Sequence, residues 1–143
     1  MAASIEQRCI EWATAGQICR AAADHAIDMG VKVNVAVVDP GGNLMAFQRV
    51  NGAFLHSIDI AQDKAYCAVG FGFPTGQWKG IFEEAPQLKD GLMLRPRLVI
   101  LAGGVPIVED GQIIGGVGVS GASEEEDTAC ALAGLRAVGL DSG

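Results

Sequence analysis

The sequence predicts an α+β fold: about five strands, mainly antiparallel, in one sheet flanked by helices. Three observations predict it. First, β-branched runs are joined by short turns, Asp39-Pro40-Gly41-Gly42-Asn43 and Asp110-Gly111. Second, strands linked this tightly must pair antiparallel, because a doubly wound sheet needs a helix between successive strands. Third, apolar residues recur at steps of three and four near the start of the chain, and a capping box opens a helix near its end. The expected order is α-β-β-α-α-β-β-β-α.

Each element has its own signal. Ser4 is placed to cap a first helix running to about Met29, with Ile5, Cys9, Trp12, Gly16, Cys19, Ala23 and Ile27 on one face. Gly30 ends it in the left-handed conformation. Lys32–Val38 and Leu44–Arg49 read as strands around the Asp39 turn. Ser57 opens a second helix to about Val69, and Phe71-Gly72-Phe73-Pro74 breaks it. Thr75 opens a short third helix to Glu84, and Pro86 to Pro96 reads as a loop. Arg97–Ala102, Val105–Glu109 and Gln112–Ser120 complete the strands. Ser123 with Glu126 three residues later is a capping box for a last helix from Glu124 to about Val138.

The 143 residues fit one domain, taken as 1–143, with no repeat or low-complexity tract. Half are hydrophobic and 19% are charged, which excludes disorder and leaves apolar surface for a subunit interface. A homo-oligomer is therefore expected. A net charge of −7 with ten Lys and Arg excludes nucleic-acid binding, which depends on neutralising phosphates, and disfavours an anionic membrane surface. Glu6, Arg8 and Glu11 interrupt the first residues, so no signal core is seen, and no apolar run reaches membrane-spanning length. A cytoplasmic location is expected. Cys9, Cys19, Cys67 and Cys130 form no C-x-x-C pair and read as small buried hydrophobes, so a zinc site is not expected.

Several residues invite a chemical reading. Gly116-Val117-Gly118-Val119-Ser120-Gly121 spells G-x-G-x-x-G, but no βαβ unit surrounds it. Four acidic residues, Glu124 to Asp127, crowd the helix start where a pyrophosphate would sit. Those glycines instead leave room above a strand for another backbone or a ligand. Gly41-Gly42, Gly103-Gly104 and Gly121 lie at chain reversals, where exposed N–H groups could receive a carboxylate. Lys64 is four residues from both Ile60 and Ala68 and so falls on an apolar helix face, where a cation needs a partner such as Asp39 or a ligand carboxylate. His25 and His56 are too few for a triad or a multi-histidine metal centre, although haem iron needs only one donor and His25, Tyr66 or Cys67 could supply it. Glu125 and Asp127 are explained by the dipole of the helix they open.

Together these stretches resemble the GlcG/HbpS-like family, small proteins of glycolate-utilisation operons with haem-binding relatives. The resemblance rests on Val38 to Leu44, Phe47 to Ala53, Ser57 to Ala61 with Lys64-Ala65, Gly103 to Ile107 and Gly115 to Gly121. Glu125, Asp127, Cys130-Ala131 and Gly134-Leu135 close it. It implies a compact α/β sandwich assembling as a tetramer or octamer. It also implies a pocket near the Asp39 turn, the Lys64 helix and the Gly103-Gly104 turn, and a haem or organic-acid ligand. The sequence departs from the family at Asn51 (usually Asp), Ala122 and Glu124 (usually Gly), Phe73 (often Arg) and Cys67 (usually Thr or Ser). The exchange at Phe73 suggests a more apolar or aromatic ligand.

Two functional expectations follow. In the first, the protein binds haem or another planar carboxylate-bearing small molecule. Its ligand-binding residues are then Asp39, Gly41, Gly42, Arg49, Lys64, Phe73, Gly103, Gly104, Gly121 and Glu125, with His25 as axial ligand. In the second, it is a cofactor-free catabolic enzyme of isomerase, deaminase or hydrolase type. Lys64 would then polarise a carbonyl or form a Schiff base on a small oxo- or amino-acid, and Asp39 or Asp127 would move protons. A structural partner of an operon-encoded enzyme is a third option.

Overall fold

The computed structural model describes residues 1–143. Helix α1 (Trp12–Asp28) leads into strands β1 (Asn34–Val38) and β2 (Leu44–Arg49), then helix α2 (His56–Phe71). A 3₁₀ turn at Thr75–Gln77 runs into α3 (Trp78–Glu84) and α4 (Pro86–Leu92). Strands β3 (Gly104–Glu109) and β4 (Gln112–Ser120) and helix α5 (Glu124–Ala137) follow. The α+β class and its antiparallel sheet are as the sequence predicts, but the sheet has four strands, in the order β2-β1-β4-β3.

The missing strand is Arg97–Ala102. Its β-branched run has no strand to pair with, and side chains satisfy its backbone instead. Cys67 Sγ donates to Arg97 O at 3.0 Å and accepts from Val99 N at 3.3 Å, while Glu124 takes Ala102 N at 2.8 Å. Arg97 also has φ +64, which no strand tolerates. The first helix begins at Trp12, not Ser4, because Glu11 caps it by accepting from the N–H groups of Ala13 and Thr14. Just before it, Ile10 N donates to Ile114 O in β4 at 2.8 Å. Ile10 is therefore the buried residue there, whereas Cys9, Ile5 and Trp12 are exposed, contrary to the predicted stripe. Part of the predicted 86–96 loop is helix α4, since Pro86 suits a first helical turn.

Other local signals hold. Gly30 has φ +76, Asp110-Gly111 has φ +52 and +75, and the Ser123–Glu126 capping box is formed in both directions. Cys19, Cys67 and Cys130 are buried and free, and burial pushes the Cys19 thiol up to about 12.

Two cores explain why all five residues of β1 are buried. On one face α1 and α5 cover Val33, Val35, Val37, Val105, Ile107, Val117 and Val119. On the other, α2 places Ala61 and Ala65 against Ala36 and Val38. The glycines of β4 set how closely α2 lies. A Cβ on Gly118 would come 2.1 Å from Ala61 O, one on Gly116 2.6 Å from Ala65 O, and one on Gly104 in β3 2.4 Å from Lys64 O. The glycine-rich motif thus admits a helix backbone. Pro106 is tolerated because β3 is a sheet edge. No helix is long and apolar enough to cross a membrane.

Candidate functional site

Lys64 is the largest fully buried side chain of the molecule. The close approach of α2 to β4 carries its stem under the Gly103-Gly104 turn. There Nζ donates to Val119 O at 2.9 Å and to Asp127 Oδ2 at 3.1 Å. Asp127 Oδ1 in turn accepts from Ala122 N at 3.0 Å. The partner of Lys64 is thus Asp127 rather than Asp39. A Cβ on Gly103 would sit 2.8 Å from Lys64 Nζ and 2.5 Å from Val119 O, so only glycine, at φ +126, closes this turn. Burial pulls the Lys64 ammonium below its usual value, resisted by the Asp127 charge. Burial likewise pushes the Asp127 carboxyl up, resisted by Lys64 and by the Ala122 amide.

Asp39 organises its own turn. Its Oδ1 accepts from Gly41 N and Asn43 N, both at 2.9 Å, and from Asn43 Nδ2 at 3.1 Å. Slight burial pushes the carboxyl up, but these hydrogen bonds outweigh it and hold Asp39 below the ordinary value. Gly42, at φ +84, leaves space for the Tyr66 ring, which a Cβ would meet at 2.6 Å. Arg49 donates to Ala53 O at 2.9 Å. Phe73 joins an aromatic cluster, 5.0 Å from Trp78 and 5.9 Å from Phe71 between ring centres.

The open space of the molecule lies elsewhere. A cleft of about 630 Å³ is walled by Ile100, Ala102 and Lys79 on one side and Glu124, Glu125, Thr128, Ala129 and Leu132 of α5 on the other. A second, about 470 Å³, shares Lys79, Ile100 and Glu124 and adds Phe82, Lys89 and Leu101. A polar crevice of about 460 Å³ lies between the Asp39 turn and α2, with Gly42, Asn43, Asp59, Asp63 and Arg97. Beside it an apolar cleft of about 180 Å³ holds Tyr66, Cys67, Phe71, Leu92, Arg95, Arg97 and Leu98. A fifth, about 340 Å³, contains Gly121, Lys32 and Phe54.

Of the predicted site residues, Glu125, Gly42 and Gly121 line clefts, though three different ones. The structure brings Lys64, Asp127, Gly103 and Gly104 together, but as a buried cluster outside all five clefts. Asp39, Gly41, Arg49, Phe73 and the half-buried His25 line none of them. Sequence reasoning missed Arg97, Ile100 and Lys79. The one signal for them was Arg95-Pro96-Arg97, two cations around a proline leading into an apolar run.

Comparison with known proteins places this geometry. A family model described as haem degrading protein HbpS-like matches residues 10–136. A 15.0 kDa protein of the dhaT-dhaS intergenic region of Citrobacter freundii is 38% identical over 120 residues, 82% of this chain and 84% of its own. Protein GlcG of Escherichia coli is 37% identical over 106 residues, 74% of this chain and 77% of its own. Among solved structures, Klebsiella pneumoniae protein ORFY superposes with TM-score 0.90 at 34% identity, covering 96% of this chain and 95% of that one. A double mutant of Streptomyces reticuli HbpS gives 0.86 at 36% identity, over 95% and 91%. A PduOC–haem complex gives 0.84 at 29% identity, over 94% and 98%. The match runs through both hairpins, the Lys64 helix and the capped last helix, and the chain belongs to the HbpS-like family.

Proposed function

We propose that this chain binds a flat, largely apolar molecule bearing carboxylates, with haem as the leading occupant, along the segment 97–102. One observation carries the reading. The apolar run Leu98-Val99-Ile100-Leu101, free of any sheet partner, helps to wall three clefts, and Arg97 at its start reaches a fourth. Ligand sites are concave and mostly apolar, with a few placed polar groups, and sizes of about 300–1,000 Å³ are usual. Cations lie at both ends of the run, Arg95 and Arg97 near Leu98, Lys79 and Lys89 near Ile100.

The donor set at the Arg97 end suits one edge of haem: the cleft there, about 180 Å³, takes part of the ring system, and the rest would lie along the apolar run. Tyr66 offers a phenol oxygen to iron, the two arginines suit carboxylates, and Phe71, Leu92 and Leu98 suit the ring system. Cys67 is a poorer donor, because burial raises its pKa and its thiol is already bonded to Arg97 O. When bound, haem would supply an iron centre for small ligands or electron exchange. The solved PduOC–haem complex and the HbpS structures support the choice of ligand.

Two further inferences belong to this reading: assembly as a tetramer or octamer, and residence in the cytoplasm. Exposed Trp12, Phe54 and Leu55 support the first. The catalytic alternative depends on Lys64, whose amine already has two acceptors and lines none of the five clefts described, so the geometry favours binding. Haemin titration followed in the Soret region tests the proposal, with Tyr66→Phe and His25→Ala alongside. Saturable binding with a band altered by Tyr66→Phe is expected. A band lost only in His25→Ala moves the iron to His25, and no band at micromolar protein ends the haem reading.

A further inference from the structure

The geometry points to Arg97 as the residue that reads the ligand's carboxylate, with the apolar cleft beside it taking the ring attached to that carboxylate. This deepens the binding reading above and rests on it. Three observations converge on Arg97.

The first is its backbone. A non-glycine residue at φ +64 is disfavoured, and such strain persists only where surrounding contacts over-determine it. Here the Cys67 thiol bridges Arg97 O and Val99 N. The second is its side chain. Nε donates to Asp63 Oδ1 at 2.9 Å, and the guanidinium lies 3.8 Å from the centre of the Tyr66 ring. That ring is itself seated on Gly42. The fork is thus held from two sides through Nε and its face, while its Nη pair keeps the geometry that grips a carboxylate.

The third observation is position. Arg97 lines both the polar crevice and the apolar cleft, so it stands at their boundary. The cleft measures about 180 Å³, and a cavity of about 150 Å³ is enough for a benzene ring. Tyr66, Phe71, Leu92 and Leu98 give it apolar walls, and Arg95 adds a second cation. Asp59 in the polar crevice repels an anion on that side, which directs a carboxylate to approach from the apolar one. The ligand class is a carboxylic acid carrying a ring on a short arm, the local chemistry of a porphyrin propionate or of a free arylalkanoate.

Two probes separate this inference from the haem reading. Haemin is compared with its dimethyl ester by Soret titration, and 3-phenylpropionate with 3-phenylpropanol by NMR shifts of Tyr66, Phe71 and Leu98. Arg97→Lys keeps the charge but not the fork. Arg97→Gly relaxes the left-handed backbone and so removes the side chain without a folding penalty from φ. In the wild type the free acids are expected to bind about tenfold or more tightly than ester or alcohol, the size of one charge-assisted pair. Arg97→Gly, folded by circular dichroism, should lose that preference, and Arg97→Lys should keep only part of it. Haemin binding whose acid preference survives in Arg97→Gly overturns the role of Arg97 and leaves the haem reading intact. Binding of 3-phenylpropionate through Arg97 without haemin binding does the reverse. Failure of both acids to bind overturns both.

Discussion

Lys64 and Asp127 are buried together, and for each burial is the largest influence on its protonation, driving it toward the neutral form. Their pairing offsets that desolvation, and removing one partner strands the other. Lys64→Met or Asp127→Leu alone should therefore destabilise by about 3–5 kcal/mol, and the double variant by much less than the sum. Urea unfolding of the three variants checks this. The pH signs differ for the two groups. The raised Asp127 pKa contributes stability fully below its unfolded value and loses it as pH rises through the folded one. The lowered Lys64 pKa contributes fully above the ordinary lysine value of 10.5 and loses it as pH falls through the folded one. In Asp127→Asn the chief support of the ammonium is gone, so its pKa falls further. Stability of that variant should rise more steeply between neutral and alkaline pH than the wild type's, as unfolding midpoints at several pH values would show.

At the scale of elements, the packing of α2 on the sheet depends on absent side chains. Gly118→Ala would push a methyl to 2.1 Å from Ala61 O, which neither backbone can avoid, and should destabilise by about 3 kcal/mol. Gly16 in α1 has open space and ordinary helical backbone, so Gly16→Ala should stabilise by about 1 kcal/mol. Opposite shifts in Tm for these two substitutions check the argument. Glu11→Ala should remove a helix cap worth about 1 kcal/mol while Ser4→Ala changes nothing. That contrast marks where sequence was legible. The Asp39 turn, the Asp110-Gly111 hairpin and the Ser123–Glu126 box were readable because neighbouring residues determine them. The start of α1 was not, because the bond from Ile10 to β4, a hundred residues on, overrides the helical stripe. Arg97–Ala102 misled for a related reason: its composition suits a strand, but no sheet edge is offered to it.

Across the whole molecule, the chain exposes 7861 Å², where a monomer of 14.8 kDa typically exposes about 7,000 Å². The excess includes Ile5, Trp12, Phe54 and Leu55, so sedimentation should find a species larger than one chain, and Trp12→Glu should weaken it. The candidate site was only partly legible. Lys64 stood out as a cation on an apolar face, but its partner lies 63 residues away and neither lines any of the five clefts described. The clefts are instead walled by the segment read as a strand, whose mostly half-buried apolar residues declare themselves only once the sheet is seen to close without them. The central claim is that the ligand lies along that segment. It is tested most directly by titrating haemin into the wild type and into Leu98→Asp, whose side chain lines the apolar cleft beside Tyr66, Arg95 and Arg97. Saturable binding weakened about tenfold or more in a variant that still folds is the predicted result, as expected for a charge placed in an apolar contact. Equal haemin affinity in the two proteins would contradict the account.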